Sequence, residues 1–232
     1  MKLKNNIKLL IAADGGAGSG KTTGSKLIAK KYGLKLLTSG LLYRFIAYKL
    51  LKNKKIKSRN LFLKKITKKI TSKDLKNRNL FNNKVTKYTS EIAKIKRIRD
   101  LLKSYQINFS KNRLCIIEGR DIGTVVIPKA DLKLFFKCSL NTKTKRRFEE
   151  YRKTNKKISF NEVKKAIKLR DLNDSKRKIS ALKPAKDAVI VDTSKVNKKQ
   201  MLTKLSKIIE EKLKEKYGRS LFRFKFTKKK GI

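Results

Sequence analysis

Apolar positions along this chain fall into short continuous runs separated by longer stretches with helical spacing. The run KLLIAAD (8–14) has no polar face, which is the pattern of a parallel strand buried on both sides. LKLLTSG (34–40) and AVIVDTS (188–194) read as further strands, and RLCIIEGRDIGTVVI (113–127) and DLKLFFKCSL (131–140) contain two more, most of them apolar throughout. Between them lie candidate helices. KTTGSKLIAKKY places Leu27, Ile28 and Tyr32 at helical spacing and should stop at Gly33. LLYRFIAYKLLKN starts another helix just after Ser39 and Gly40. In SEIAKIKRIRDLLKSYQINF (90–109), Ile92, Ile95, Ile98, Leu102 and Tyr105 share one face, and Ser90 is the expected N-cap. Lysine-rich helices at about 141–154 and 159–172 and an amphipathic one at about 197–217 follow. Residues 53–86 are the least legible: LFLKKITKKI is helix-like, LKNRNLFNNKV has no clear period, and the segment reads as an insert. Strands alternating with helices predict an α/β fold with a parallel sheet. The length suits a single domain over residues 1–232.

Charge changes this picture little. The formal net charge is +49, from 52 lysines and only 14 arginines, accompanied by 15 asparagines and 22 isoleucines. That combination is what A/T-rich codons produce, and the lysines are spread along the chain rather than gathered into a stripe, so no specific nucleic-acid partner is expected. With 39% hydrophobic residues in clusters, the chain is not a disordered one. Cys115 and Cys138, each in an apolar run, support neither a disulfide framework nor a zinc site and fit a reducing cytosol. The start imitates a signal peptide, but its apolar run is short and ends in Asp14 and glycines. No stretch has the length of a membrane span, so the expectation is a soluble, cytoplasmic monomer with no membrane partner. The tail GRSLFRFKFTKKKGI (218–232) interleaves Phe with basic residues and reads as a frayed end with one docked edge.

The chemistry begins at Gly15-x-x-x-x-Gly20-Lys21-Thr22, which matches the P-loop pattern at every fixed position and sits between a strand and a helix. In such a loop, here Gly15, Gly16, Ala17, Gly18, Ser19, Gly20, Lys21, Thr22 and Thr23, backbone N–H groups curl around a polyphosphate. Lys21, expected to be exposed, reaches the β and γ phosphates, and the Thr22 hydroxyl faces Mg²⁺. EGRDIGTVV follows a strand and so brings Arg120 and Asp121 to the carboxyl end of the sheet, although an adjacent Arg and Asp often form only a structural ion pair. Arg44 follows Ser39 by about one helical turn, and Arg170, Asp174 and Arg177 share one helix face. Arginine forks suit phosphate oxygens and the charge that develops in phosphoryl transfer. Two rival readings remain at this point. One is a kinase of a hydroxyl acceptor, for which Glu118 and Asp121 are the candidate bases. The other is a nucleic-acid-binding or assembly protein that uses the loop for nucleotide sensing and would not need the convergent arginines.

The stretches GAGSGKTT, TSGLLYR, KIKRIRDLL, EGRDIGTVVIPKADLKLFF, KRRFEEY, LRDLNDSKR and ALKPAKDAVIVDTS resemble the bacterial cytidylate kinases, a family of P-loop nucleoside monophosphate kinases, from about residue 8 to 210. The most specific of them is GRDIGTVV. The resemblance implies a P-loop kinase core, a small acceptor-binding insert at about 53–89 and a helical lid at about 141–172. It implies ATP and Mg²⁺ as cofactors, CMP and dCMP as acceptors, and Lys21, Arg44, Arg120 and Arg170 as catalytic residues. Ser39, Arg44 and Arg120 would grip the acceptor phosphate, and Ser90, Arg99 and Asp121 would meet the cytosine. Asp174 would hold the ribose, Arg170 and Arg177 phosphate or ribose, and Arg146 and Arg147 would close over ATP. Three residues depart from the family pattern: Thr38 stands in place of an aspartate, Gly16 in place of a proline, and Glu118 in place of an aspartate. The segment between Ser39 and Ser90 is also shorter than the family's insert.

Overall fold

The computed structural model describes residues 7–53, 55–153 and 158–218. The basic, aromatic tail beyond Gly218 lies outside the described residues. Strands β1 (Leu9–Gly15), β2 (Lys35–Thr38), β3 (Leu114–Gly119), β4 (Leu132–Lys137) and β5 (Val189–Asp192) form one parallel sheet in the order β2-β3-β1-β4-β5. The helices are α1 (Lys21–Tyr32), α2 (Ser39–Lys52), α3 (Arg59–Lys68), α4 (Ser72–Leu75), α5 (Asn83–Ile92), α6 (Lys96–Ser110), α7 (Leu140–Lys153), α8 (Phe160–Ser175) and α9 (Lys198–Tyr217).

β1 is buried along its whole length because both its faces are covered. Leu9, Ile11 and Ala13 pack with Ile28 and Tyr32 of α1 and with Leu205 and Ile209 of α9. Leu10 and Ala12 point the other way, into a layer containing Leu42 and Ile46 of α2 and Ile98 and Leu102 of α6. This is why the strand carries no polar alternation. By contrast, β5 is an edge strand whose Val189 and Ile190 are 38% and 42% exposed. Cys115 is buried in β3, whereas Cys138 lies just past the end of β4 and is half-buried.

The single helix expected over 90–109 is two. α5 ends at Ile92, the Ile95 N–H turns back to the Ile92 carbonyl at 3.0 Å, and α6 restarts at Lys96. Ser90 is therefore an exposed residue in the last turn of α5 rather than an N-cap. Ile92 and Ile98 both reach the core across the break, which preserves the apolar period, while Ile95 is 40% exposed. The illegible insert is a set of short elements, each started by its own side-chain cap. Ser58 opens α3, Thr71 opens α4, Asn77 opens the 3₁₀ turn Arg78–Phe81, and Asn82 opens α5. Caps of this kind replace periodicity as the local signal.

Candidate active site

Three neighbouring strands end at one level. Thr38 of β2 lies opposite Glu118 of β3, and Asp14 of β1 lies opposite Gly119. The loops that follow them form a cleft of about 450 Å³ at the carboxyl edge of the sheet, where open α/β sheets bind ligands. The phosphate loop enters α1 through Gly20, whose φ of 78° is a left-handed conformation that other residues adopt only under strain. Gly16, Ala17, Gly18, Ser19, Lys21, Thr22 and Thr23 line one wall. Ser39 and Arg44 from α2, Ser90 from α5, Arg99 from α6 and Arg120 and Asp121 after β3 line the others, together with Arg146 and Arg147 of α7, Arg170 and Asp174 of α8, and Arg177. Of the site residues singled out in the sequence, Gly15 alone is not in the wall. It ends β1 beneath the loop, where a Cβ would stand 2.6 Å from the Phe136 carbonyl oxygen.

Few of these cations are left without an anchor. Arg120 does not pair with its neighbour Asp121: its Nε donates to Asp174 at 2.7 Å, and Arg177 donates to the other oxygen of the same carboxylate. Burial alone would push Asp174 up, but Arg120 and Arg177 more than offset it and hold the carboxyl below its usual range. Asp121 instead accepts from buried Arg99 at 2.6 Å, and Arg99 also donates to the Ala93 carbonyl freed by the α5–α6 break. Arg44 donates to the Leu80 carbonyl and the Thr86 hydroxyl at 2.7 and 2.8 Å, which ties it to the insert, and stands 5.2 Å over the ring of Phe81. Arg146 donates to the Thr193 carbonyl at 2.7 Å, and the Thr193 hydroxyl donates to the Ser19 carbonyl at 2.8 Å. Arg170 is pushed down to about 10 by burial and by Arg120.

Lys21 is the first residue of α1 and is buried, not exposed as the loop reading implied. Its Nζ lies 3.9 Å from Glu118 Oε2, and the Thr38 hydroxyl donates to Glu118 Oε1 at 2.7 Å. Burial first, and Arg120 second, lower Lys21 to about 8, against the opposing pull of Glu118 and Asp14. A bound polyphosphate favours the charged form and would raise that value again, so above about pH 8 the free protein must take up a proton to bind. ATP affinity is therefore expected to be flat on the acid side of pH 8 and to fall as pH rises above it, by up to about tenfold per unit for one linked proton. Calorimetry at pH 9 in two buffers of different ionisation enthalpy checks this: equal heats in both would contradict it.

Several residues of the site were missed in the sequence. Asp14 accepts the N–H groups of Ile122 and Gly123 at 2.8 Å each and so fastens the π-helical turn Ile122–Val126 to the end of β1. Burial raises its carboxyl to about 6, against the lowering effect of those two N–H groups. It was visible as the acid that ends the apolar run KLLIAAD. Tyr43 and Phe81 also line the cleft, and Arg99 stands 5.6 Å over the Tyr43 ring. Phe81 is 57% exposed and had no local signal.

A parallel sheet with a phosphate loop at its centre and a cation-lined cleft beside it defines a P-loop phosphotransferase of the nucleotide kinase class. The family described as cytidylate kinase matches residues 11–211. A cytidylate kinase from Thermotoga neapolitana is 37% identical over 225 residues, covering 88% of this chain and 98% of its own. One from Clostridium tetani is 33% identical over 224 residues, covering 92% and 99%. The fold resembles that of an uncharacterized protein from Eubacterium ventriosum at 15% identity, with a TM-score of 0.55 over 88% of this chain and 99% of that one. This chain belongs to the cytidylate kinase family. Among the described residues no helix is long and apolar enough to cross a membrane.

Proposed function

We propose that the chain transfers the γ-phosphoryl group of ATP to CMP, and also to dCMP, giving ADP and the pyrimidine nucleoside diphosphate. The observation that carries this reading is the convergence of Arg44, Arg120, Arg170 and Arg177 on a cleft whose opposite wall is the phosphate loop. Residues 16–23 cradle the ATP phosphates, with Arg146 and Arg147 lining the same cleft. Ser39, Arg44 and Arg120 hold the acceptor phosphate, Ser90, Arg99 and Asp121 meet the cytosine, and Asp174, Arg170 and Arg177 meet ribose or phosphate. α3 to α5 act as the acceptor-binding insert, and α7 with α8 as the lid. The acceptor is a phosphate monoester and already anionic, so no strong base is needed, and catalysis rests on alignment and on Lys21, Arg44, Arg120 and Arg170 as preplaced charge.

The residues present fit a magnesium ion delivered with the nucleotide. Thr22 lines the cleft, and Glu118 Oε2 is a buried carboxylate oxygen with no hydrogen-bond partner among the described residues. Mg²⁺ would neutralise phosphate charge there, held by Thr22 and Glu118. The protein works as a cytoplasmic monomer on small-molecule substrates, and its free cysteines suit a reducing compartment.

The test is an assay coupled to ADP formation with ATP and, in turn, CMP, dCMP, UMP, AMP, GMP and shikimate. CMP and dCMP should be the fastest acceptors. Turnover greater with shikimate or with a purine monophosphate would replace this reading with a kinase of another acceptor.

A further inference from the structure

Asp171 has no part in the roles assigned above, yet it joins three pieces of the cleft. Its Oδ1 accepts the Ala17 N–H at 2.9 Å, and its Oδ2 accepts from Lys143 Nζ at 2.7 Å. A single carboxylate on α8 thus links the phosphate loop to α7. The pair is not a surface one, since the side chains of Lys143 and Asp171 are only 15% and 23% exposed. The loop is shaped to receive it. A Cβ on Gly16 would stand 2.9 Å from each Asp171 carboxylate oxygen, closer than such atoms approach. The Gly16 backbone has no positive φ, so a side chain there would meet the carboxylate and no conformational strain. Two positions along the loop, a Cβ on Gly18 would lie 3.4 Å from the Lys143 carbonyl, so α7 also rests on a glycine.

We propose that Asp171 is a positioning residue that seats the α7–α8 pair on the phosphate loop, in the space that Gly16 leaves open. The Ala17–Asp171 bond fixes α8 against the loop at one point, and Asp174, held by Arg120, fixes it at a second point one turn later. Arg170 is the residue just before the first of these anchors, and Arg146 and Arg147 share α7 with Lys143, so the seat sets how all three line the cleft. Lys143 neutralises a carboxylate that would otherwise repel an incoming polyphosphate. The proposal rests on the reading of the loop as the ATP site.

The experiment uses the full chain and five proteins: wild type, Asp171→Ala, Asp171→Asn, Gly16→Ala and the Gly16→Ala/Asp171→Ala double variant. Melting curves establish that each is folded. Asp171→Ala is expected to lower kcat/KM for ATP by about ten- to hundredfold, the scale of an ångström-sized misplacement. KM for CMP should change little, and Asp171→Asn, whose carbonyl oxygen still accepts the Ala17 N–H, should recover much of the loss. Gly16→Ala should be impaired alone but add nothing in the Asp171→Ala background, because the carboxylate that its methyl group strikes is gone. Losses that multiply in the double variant, or an Asp171→Ala protein with wild-type kcat/KM for ATP, would overturn the proposal. ATP affinity measured by calorimetry carries the same comparison independently of the acceptor. A wild type that forms no CMP-dependent ADP would sink the functional reading, while the coupling between positions 16 and 171 would still be read in ATP affinity.

Discussion

Turnover of the Lys21→Ala protein is expected to fall by about three orders of magnitude, roughly 4 kcal/mol of barrier, while its fold survives. Lys21 opens α1 at the level where the phosphate loop ends, so its ammonium is preplaced for the phosphoryl oxygens on which charge develops. A buried charge aimed at a transition state acts in a medium of low dielectric and needs no reorganisation, which is why one lost donor in such a site costs so much. Stability should respond weakly, because two effects oppose each other. Removing the ammonium leaves Glu118 without the cation 3.9 Å away, but it also removes a buried charge that Arg120 repels. Steady-state turnover beside a melting curve checks both halves. A folded Lys21→Ala protein with near wild-type turnover would refute the assignment of the loop.

The second large effect is expected at Asp121, in both selectivity and stability. Cytosine presents an amine donor where uracil presents a carbonyl, so a carboxylate acceptor pairs with the first and opposes the second, at a cost of roughly 1–3 kcal/mol or more. CMP should exceed UMP in kcat/KM by at least about tenfold. The sequence left open that Asp121 merely orients Arg120, but Arg120 is bound to Asp174, and the partner of Asp121 is Arg99. Both members of that pair are buried, at 7% and 5% exposure. Asp121→Ala strands a guanidinium in the interior, which costs about 3–5 kcal/mol and lowers the melting temperature by roughly 6–20 °C. Asp121→Asn separates the roles. If Asp121 meets the base, the amide, which donates as well as accepts, narrows the CMP-to-UMP ratio. If Asp121 only holds Arg99, both substrates slow together and the ratio stays fixed.

The parts of the fold that were legible in the sequence are those whose cause is local. KLLIAAD had to be a strand covered on both faces, and the spaced glycines before Lys21 had to be a turn into a helix, because neighbouring residues alone impose these outcomes. The helix expected across 90–109 failed because Ile92 and Ile98 keep their period through a break whose stabilising contact, Arg99 to the Ala93 carbonyl, involves a polar side chain that periodicity does not count. IGTVV, rich in β-branched residues, becomes a π-helical turn because Asp14, 108 residues earlier in the chain, accepts the Ile122 N–H. The residue types of the site could be read in advance, but their pairing could not. Asp171 meets Ala17 across 154 residues and Arg120 meets Asp174 across 54, and neither contact has a local signature.

The crowding of positive charge around the cleft bears on how long the protein lasts as well as on how it works. Burial first, and neighbouring cations second, displace Lys21, Arg44 and Arg170 toward their neutral forms. A polyanionic nucleotide would offset that cost by favouring the charged forms. A ligand that binds only the folded chain adds about 2.7 kcal/mol of stability at a hundredfold excess over its Kd, and it shrinks the unfolded fraction available to proteases by the same factor of about 100. Proteolysis of this chain is therefore expected to slow as nucleotide saturates the cleft.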